Sequence, residues 1–205
     1  LQLMDDDRRG LSSVRTTAFD ISYDGSGTLT WSEGETTGTI SYNVDPSGSM
    51  TFTELTNDLG QISQDGGVII ITKYNDAPDE LDESHFIHLS LLIKKSSGNS
   101  NSTLNSTFTY AEIDAVDNGG SDLASDLIST YGTISFNGAG SCTVISSEAS
   151  FPCTYSVADD GTMEFNDGDN ILTGMVSPDG ELVSVVHNED DIGNVGPFMV
   201  IAVKQ

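Results

Sequence analysis

The sequence has few basic residues, few prolines, two cysteines and no long apolar run. Only 7 of its 205 residues are Lys or Arg, against 32 Asp or Glu, so the formal net charge is −25 at pH 7. Nucleic acids and anionic membranes repel such a surface, and we predict no nucleic-acid partner. No apolar run approaches the roughly 20 residues of a membrane-spanning helix, so we also predict no membrane span.

The chain is instead rich in Gly, Ser, Thr, Asn and Asp, and it has 21 glycines but only five prolines. This composition is typical of many short strands joined by tight turns, so the sequence predicts an all-β protein. Residues 1–4 are apolar but run directly into three aspartates. They do not form the apolar region of a signal peptide, and we expect a mature form or a fragment.

An internal duplication is the strongest signal in the sequence. Residues 21–30 match residues 134–143, at an offset of 113. Further matches at the same offset combine aromatic, aliphatic and glycine positions, with Tyr42, Val44, Gly48, Met50 and Phe52 falling on Tyr155, Val157, Gly161, Met163 and Phe165. Since these residue types recur together and in order, the similarity goes beyond shared composition.

The duplication predicts two tandem antiparallel up-and-down meander or barrel domains, at residues 1–95 and 107–205. Short connections favour antiparallel neighbours. One larger sheet and a propeller-like arrangement are the alternatives. By the repeat, copy one begins inside its first strand. Residues 96–106 are polar and aperiodic, and they predict a flexible linker or a long surface loop. Residues 122–129 predict a short helix or a loop.

Two cysteines, Cys142 and Cys153, fall in copy two, where copy one has Leu29 and Ile40 at the matching positions. Both pairs lie on consecutive antiparallel strands, so a disulfide in one copy would replace an apolar pair in the other. The alternative is two reduced thiols in the core. A disulfide would place the protein outside the cytoplasm, in the periplasm, at the cell surface or secreted.

The acidic turns of copy two offer hard oxygen ligands, and Asp167, Asp169, Glu189 and Asp190 are candidate calcium ligands. The alternative is a set of solvated turns, because Asp and Asn are the usual turn residues. We predict no other cofactor.

Two segments of copy two carry a resemblance to a known family: Gly-Thr-Ile-Ser-Phe-Asn-Gly-Ala-Gly at 132–140 and Tyr-Ser-Val-Ala-Asp-Asp-Gly-Thr at 155–162. This pattern resembles a repeat of secreted bacterial proteins that are thought to form lipocalin-like or avidin-like (calycin-type) barrels. The resemblance covers both copies. It implies a β-barrel fold and carries no catalytic residues over to this chain.

No catalytic constellation is recognisable, because the chain lacks a Gly-x-Ser-x-Gly nucleophile elbow and a phosphate-binding glycine loop. We therefore predict a non-enzymatic extracytoplasmic structural or interaction subunit, bound to other protein subunits or to itself in an envelope complex or extracellular assembly. One alternative is a small-ligand carrier, although large side chains such as Met163 and Phe165 are expected to fill a small barrel. A polysaccharide hydrolase is the other alternative, suggested by the many carboxylates.

Overall fold

The computed structural model describes the chain except for residues 1, 6–10, 16–19, 34–35, 54–57, 76–84, 117–125, 148 and 188–197. The described residues form strands and one short 3-10 helix. They divide into two compact units, one of residues 1–13 and 17–92 and the other of residues 14–16 and 93–205. The predicted all-β fold of two antiparallel meander domains is confirmed.

Nine strands lie wholly or mostly in the first unit: β1 (Gln2–Asp5), β2 (Leu11–Arg15), β3 (Asp20–Tyr23), β4 (Thr28–Glu33), β5 (Thr36–Val44), β6 (Ser49–Phe52), β7 (Asp58–Ile62), β8 (Val68–Asn75) and β9 (His85–Ile93). They form one sheet in the order β2-β1-β9-β8-β7-β6-β5-β4-β3. Strands β3 to β8 follow one another as a meander. Its core contains the buried residues Leu29, Met50, Phe52 and Ile69.

The second unit contains eight strands: β10 (Thr107–Val116), β11 (Asp126–Phe136), β12 (Ser141–Ser146), β13 (Ser150–Val157), β14 (Thr162–Asn166), β15 (Ile171–Val176), β16 (Leu182–His187) and β17 (Phe198–Lys204). Each strand pairs antiparallel with the next, and β17 pairs back onto β10. The eight strands thus close into an up-and-down barrel, which leaves no free sheet edge among them.

The register of the strands confirms the duplication. Leu29 pairs with Ile40 across β4 and β5, and Cys142 pairs with Cys153 across β12 and β13. In the same way Tyr42 pairs with Phe52, and Tyr155 with Phe165. The offset of 113 therefore reproduces both the order of the strands and the partner of each side chain.

Strand β11 is continuous over Asp126–Phe136, whereas the matching positions of the first unit carry β2 and β3, with residues 16–19 between them outside the described residues. β2 and β3 are the two outermost strands of the nine-stranded order.

The predicted helix or loop at residues 122–129 is wrong for its second half. Residues 126–129 belong to β11 and pair with the end of β10, from Val116 opposite Asp126 to Ile113 opposite Ser129. The two leucines spaced four apart suggested a helical face, but pairing along the full length of β10 determines the conformation here. Residues 122–125 lie outside the described residues.

Candidate functional site

The inner face of the second barrel follows from the two-residue period of its strands. On β10, Phe108, Tyr110 and Glu112 share the inner face, and the first two are almost completely buried. The inner residues of the other strands complete a continuous apolar core. Glu112 places a carboxylate on this inward-facing side, and it is partly exposed.

One end of this barrel is closed by residues 96–106, which carry the 3-10 helix Asn101–Thr103. Leu104 is fully buried. Its carbonyl oxygen accepts a hydrogen bond from the Gly138 N–H at 2.9 Å and another from the Tyr155 hydroxyl, also at 2.9 Å. Phe136 lies edge-on to Tyr155, with ring centroids 5.0 Å apart. Leu104 therefore packs into the closed end of the core together with a cluster of aromatic rings.

The same segment is tied to further turns at this end of the barrel. The Val157 N–H donates to Asn101 Oδ1 at 2.8 Å, and the Gly98 N–H donates to Asp159 Oδ1 at 3.0 Å. Gly180 lies against Thr103 so closely that an added Cβ would fall 2.9 Å from its side chain. The residues predicted to form a flexible linker or surface loop are thus an ordered closing segment, and we call residues 96–106 the closing segment below.

A cavity of about 150 Å³ lies inside the barrel, beyond the buried rings. Its apolar lining comprises four phenylalanines and seven aliphatic residues: Phe136, Phe151, Phe165, Phe198, Ile134, Val144, Leu172, Val183, Val185, Val200 and Ala202. One lining residue, Ala202, is small and fully buried there. The ring of Tyr110 packs over Gly132, where an added Cβ would lie 2.8 Å from it.

Polar side chains line the part of the cavity farthest from the closing segment. Tyr110, Glu112, Thr130 and Ser146 lie on the adjacent strands β10, β11 and β12. Glu112 is directly opposite Thr130, and Ser146 is opposite Gly132, beside them. Burial raises the pKa of Tyr110 above its usual value of 10.0; the charge of Glu112 raises this pKa further, and a hydrogen bond with the Ser146 side chain lowers it. These groups therefore form one interacting polar wall.

The accessible end of the cavity is the end with the polar wall. Glu112, Thr130, Ser146, Phe151 and Asp167 are all partly exposed there, whereas the lining nearer the closing segment is buried. We call this the open end. The polar wall can form hydrogen bonds, and the rest of the lining is aromatic or aliphatic. A small apolar molecule that carries one polar group could therefore be held in one orientation.

The described part of the connections at the open end is acidic. It comprises residues 147, 149 and 167–170, which include Asp167 and Asp169 and no Lys or Arg. The ion pairs Lys95–Asp160 (3.7 Å) and Lys204–Glu181 (2.7 Å) involve turns at the closed end.

Two of the four candidate calcium ligands lie in a single turn at the open end. Asp167 Oδ1 accepts hydrogen bonds from the N–H groups of Asp169 and Asn170, at 2.9 and 2.7 Å. Glu189 and Asp190 lie outside the described residues. Within the described ranges no group of three or more His, Cys, Asp or Glu side chains is arranged to hold a metal ion. Calcium binding at these residues stays a prediction.

The disulfide joins Cys142 and Cys153 on neighbouring strands, with Cα atoms 4.8 Å apart. Both cysteines are buried in the barrel core. In the same core His187 stacks on Phe198, with ring centroids 5.2 Å apart and planes inclined by 12°. Sequence reasoning identified the disulfide but missed Glu112, whose signal was the alternation Phe108, Tyr110, Glu112 along one strand.

No protein-family model matches the chain, and no curated protein matches its sequence. A solved structure that resembles it is a protein of unknown function from the DUF3598 family of Nostoc punctiforme, with a TM-score of 0.40 and 8% sequence identity over 100% of this chain and 93% of that one. In the described part of the chain, helices reach neither the length nor the apolarity required to span a membrane.

Proposed function

We propose that the second unit is a binding module that holds a small, largely apolar ligand inside its barrel, as calycin-type barrels do. The observation that carries this proposal is the lined cavity of about 150 Å³, with the closing segment at one end and partly exposed residues at the other. Apolar cavities of about this volume bind single-ring molecules such as benzene. The ligand, or its buried part, should therefore be of that size.

The disulfide supports an extracytoplasmic location for this binding, because disulfides persist in oxidising compartments. The calycin-type assignment has the support of the barrel closure, the interior cavity and the repeat pattern in the sequence. Ligand carriage replaces the structural subunit as the preferred function, because a specific cavity favours it.

The test is a matched pair of substitutions on β17. Val200 lines the cavity and is opposite Glu112, whereas Val203 lies on the same strand with its side chain 52% exposed. Val200→Phe places a ring inside the cavity, while Val203→Phe adds the same ring to the outer face. The full chain is titrated with benzene and with benzyl alcohol, and binding is followed by NMR of the Ile134 and Val144 methyl groups.

We expect the wild type and Val203→Phe to show saturable shifts confined to the cavity lining, and Val200→Phe to lose them while its circular dichroism spectrum is unchanged. Wild-type methyl groups that do not respond to either probe, up to the limit of probe solubility, would overturn the proposed function.

A further inference from the structure

We infer that the ligand of this barrel is a cation, namely a small ring-sized amine whose ammonium group pairs with Glu112. This inference rests on the proposed function and deepens it by giving the chemical class of the ligand. It combines three features of the cavity: the position of one carboxylate, the aromatic lining and the charge of the open end.

Glu112 is the carboxylate that lines the cavity on β10, the strand that also carries Tyr110. Glu112 lies two residues from Tyr110 on the same face of β10, and its charge raises the Tyr110 pKa. Thr130 and Ser146 add hydroxyl groups to the same wall. Together these groups supply several hydrogen-bond acceptors around one negative charge, which matches the three donors of an ammonium group.

Five aromatic residues line the cavity, counting Tyr110 with the four phenylalanines. The face of an aromatic ring carries partial negative charge, so rings attract a cation that has lost part of its water shell. The same rings also pack favourably against an aromatic ligand. An amine attached to a ring would therefore be stabilised at both its charged and its apolar part.

The charge of the open end also favours a cationic ligand. Asp167 and Asp169 lie in the described β14–β15 connection at this end, and Asp167 also lines the cavity. Among the lining residues within the described ranges none is Lys, Arg or His. Such a field raises the local concentration of cations and repels anions. A cationic ligand adds a favourable charge interaction with the Glu112 carboxylate, which a neutral ligand cannot make.

The experiment compares three probes with similar rings: benzylamine, benzyl alcohol and benzoate. Each is titrated into the full chain in buffer that contains a chelator, so that divalent cations do not occupy the acidic turns. A charge-assisted hydrogen bond leads us to expect that benzylamine binds about tenfold more tightly than benzyl alcohol. We expect benzoate to bind more weakly than both.

Glu112→Gln removes the carboxylate of the polar wall, and Glu164→Gln makes the same change at an exposed position of β14. We expect Glu112→Gln to abolish the preference for benzylamine while benzyl alcohol still binds, and Glu164→Gln to retain it. Equal binding of benzylamine and benzyl alcohol by the wild type would overturn the amine inference and leave the proposed function standing. A preference that persists in Glu112→Gln would overturn the role of Glu112. Failure of every probe to bind would reject the proposed function itself.

Discussion

Single residues maintain the same turn in both copies. In the first unit Asp24 Oδ1 accepts hydrogen bonds from the N–H groups of Ser26 and Thr28, at 2.8 and 2.9 Å. In the second, Asn137 Oδ1 accepts from Ala139 and Ser141 at 2.8 and 3.0 Å. An amide oxygen thus replaces a carboxylate oxygen without change in the turn, which shows that geometry rather than charge determines it.

We therefore expect the pH dependence of this turn's stability to come from the Asp24 carboxylate alone. Hydrogen bonds from the Ser26 side chain, and then from the N–H groups of Thr28 and Ser26, hold the Asp24 pKa well below its usual 3.8. A lowered pKa in the folded state stabilises the fold above pH 3.8, and this stabilisation is lost as the pH falls through the lower folded value. Asp24→Asn should keep the turn and remove this dependence.

The measurement is an acid titration of the Gly25 amide signal by NMR. We expect a transition well below pH 3.8 in the wild type and none in Asp24→Asn. The same transition in both proteins would contradict the assignment to Asp24.

The two copies also differ in which strand of a facing pair carries the larger side chain. Trp31 pairs with Gly38, and an added Cβ on Gly38 would lie 2.6 Å from the indole ring. The matching pair in the second unit is Val144 and Phe151. The large side chain has moved to the opposite strand, where Phe151 lines the open end of the cavity. Position 151 is thus a place where the matching side chains of the two units differ in size.

At the scale of elements, the closing segment is attached chiefly through backbone groups. The Tyr155 hydroxyl donates to the carbonyl oxygens of Leu104 and Asn101, at 2.9 and 3.1 Å. Burial raises the Tyr155 pKa above its usual 10.0, so the hydroxyl stays a donor over the neutral range. Because this pKa is raised, the associated stability is present below pH 10 and is lost as the pH rises through the folded value.

Tyr155→Phe should loosen the closing segment. The buried Leu104 carbonyl would lose one of its two donors, at a cost of about 1–2 kcal/mol in the free energy of unfolding. We expect faster hydrogen exchange at the amides of Thr103 and Leu104. Tyr131→Phe is the control, since Tyr131 is 70% exposed. Unchanged exchange in Tyr155→Phe would show that the hydroxyl does not hold the segment.

Most strands were predictable from the sequence, whereas the closing segment was not. Repeated glycines and aromatic residues located the strands of both copies, and the offset also gave the disulfide partners. The closing segment is polar apart from Leu104, and its order comes from partners such as Tyr155, 51 residues away. Composition reports on local tendencies and carries no information about such distant partners.

The cavity also could not be predicted from the sequence. Met163 and Phe165 do point inward, as expected, and Met163 is almost completely buried. Whether space remains depends on the sum of all inner side chains, including Gly132 and Ala202, which only the three-dimensional arrangement gives. Glu112 was hidden for another reason: it is one of 32 acidic residues, and only its inner position distinguishes it.

At the scale of the whole molecule, each unit has a feature that allows its unfolding to be studied separately. The only tryptophan, Trp31, belongs to the first unit, and the only disulfide belongs to the second. Reduction should therefore lower the stability of the second unit by about 3 kcal/mol on the loop-closure estimate, for a bond between cysteines 11 residues apart. Trp31 fluorescence should report a transition that reduction leaves unchanged.

The measurement is urea unfolding with and without a phosphine reductant, followed by Trp31 fluorescence and by far-ultraviolet circular dichroism. The variant Cys142→Leu with Cys153→Ile carries the apolar pair of the first unit, and its unfolding should not respond to reductant. If reduction shifted the fluorescence and the circular dichroism transitions of the wild type equally, the expected separate effects on the two units would be contradicted.

The predicted structural or interaction subunit stays a prediction, as does the polysaccharide hydrolase. Light scattering of the natively purified protein, combined with mass spectrometry, tests the former. A stoichiometric protein partner would support it, and a monomer that carries a small molecule would instead favour the proposed function.

The closing segment has a consequence for how the protein can be divided. It precedes the first strand of the second barrel, yet it closes one end of that barrel. A recombinant fragment that starts at Thr107, where the strand begins, would lack this cover over the buried rings of Phe108 and Phe136. Truncation studies should therefore start the second unit near Lys94, because a boundary placed by strand limits alone would remove the closing segment.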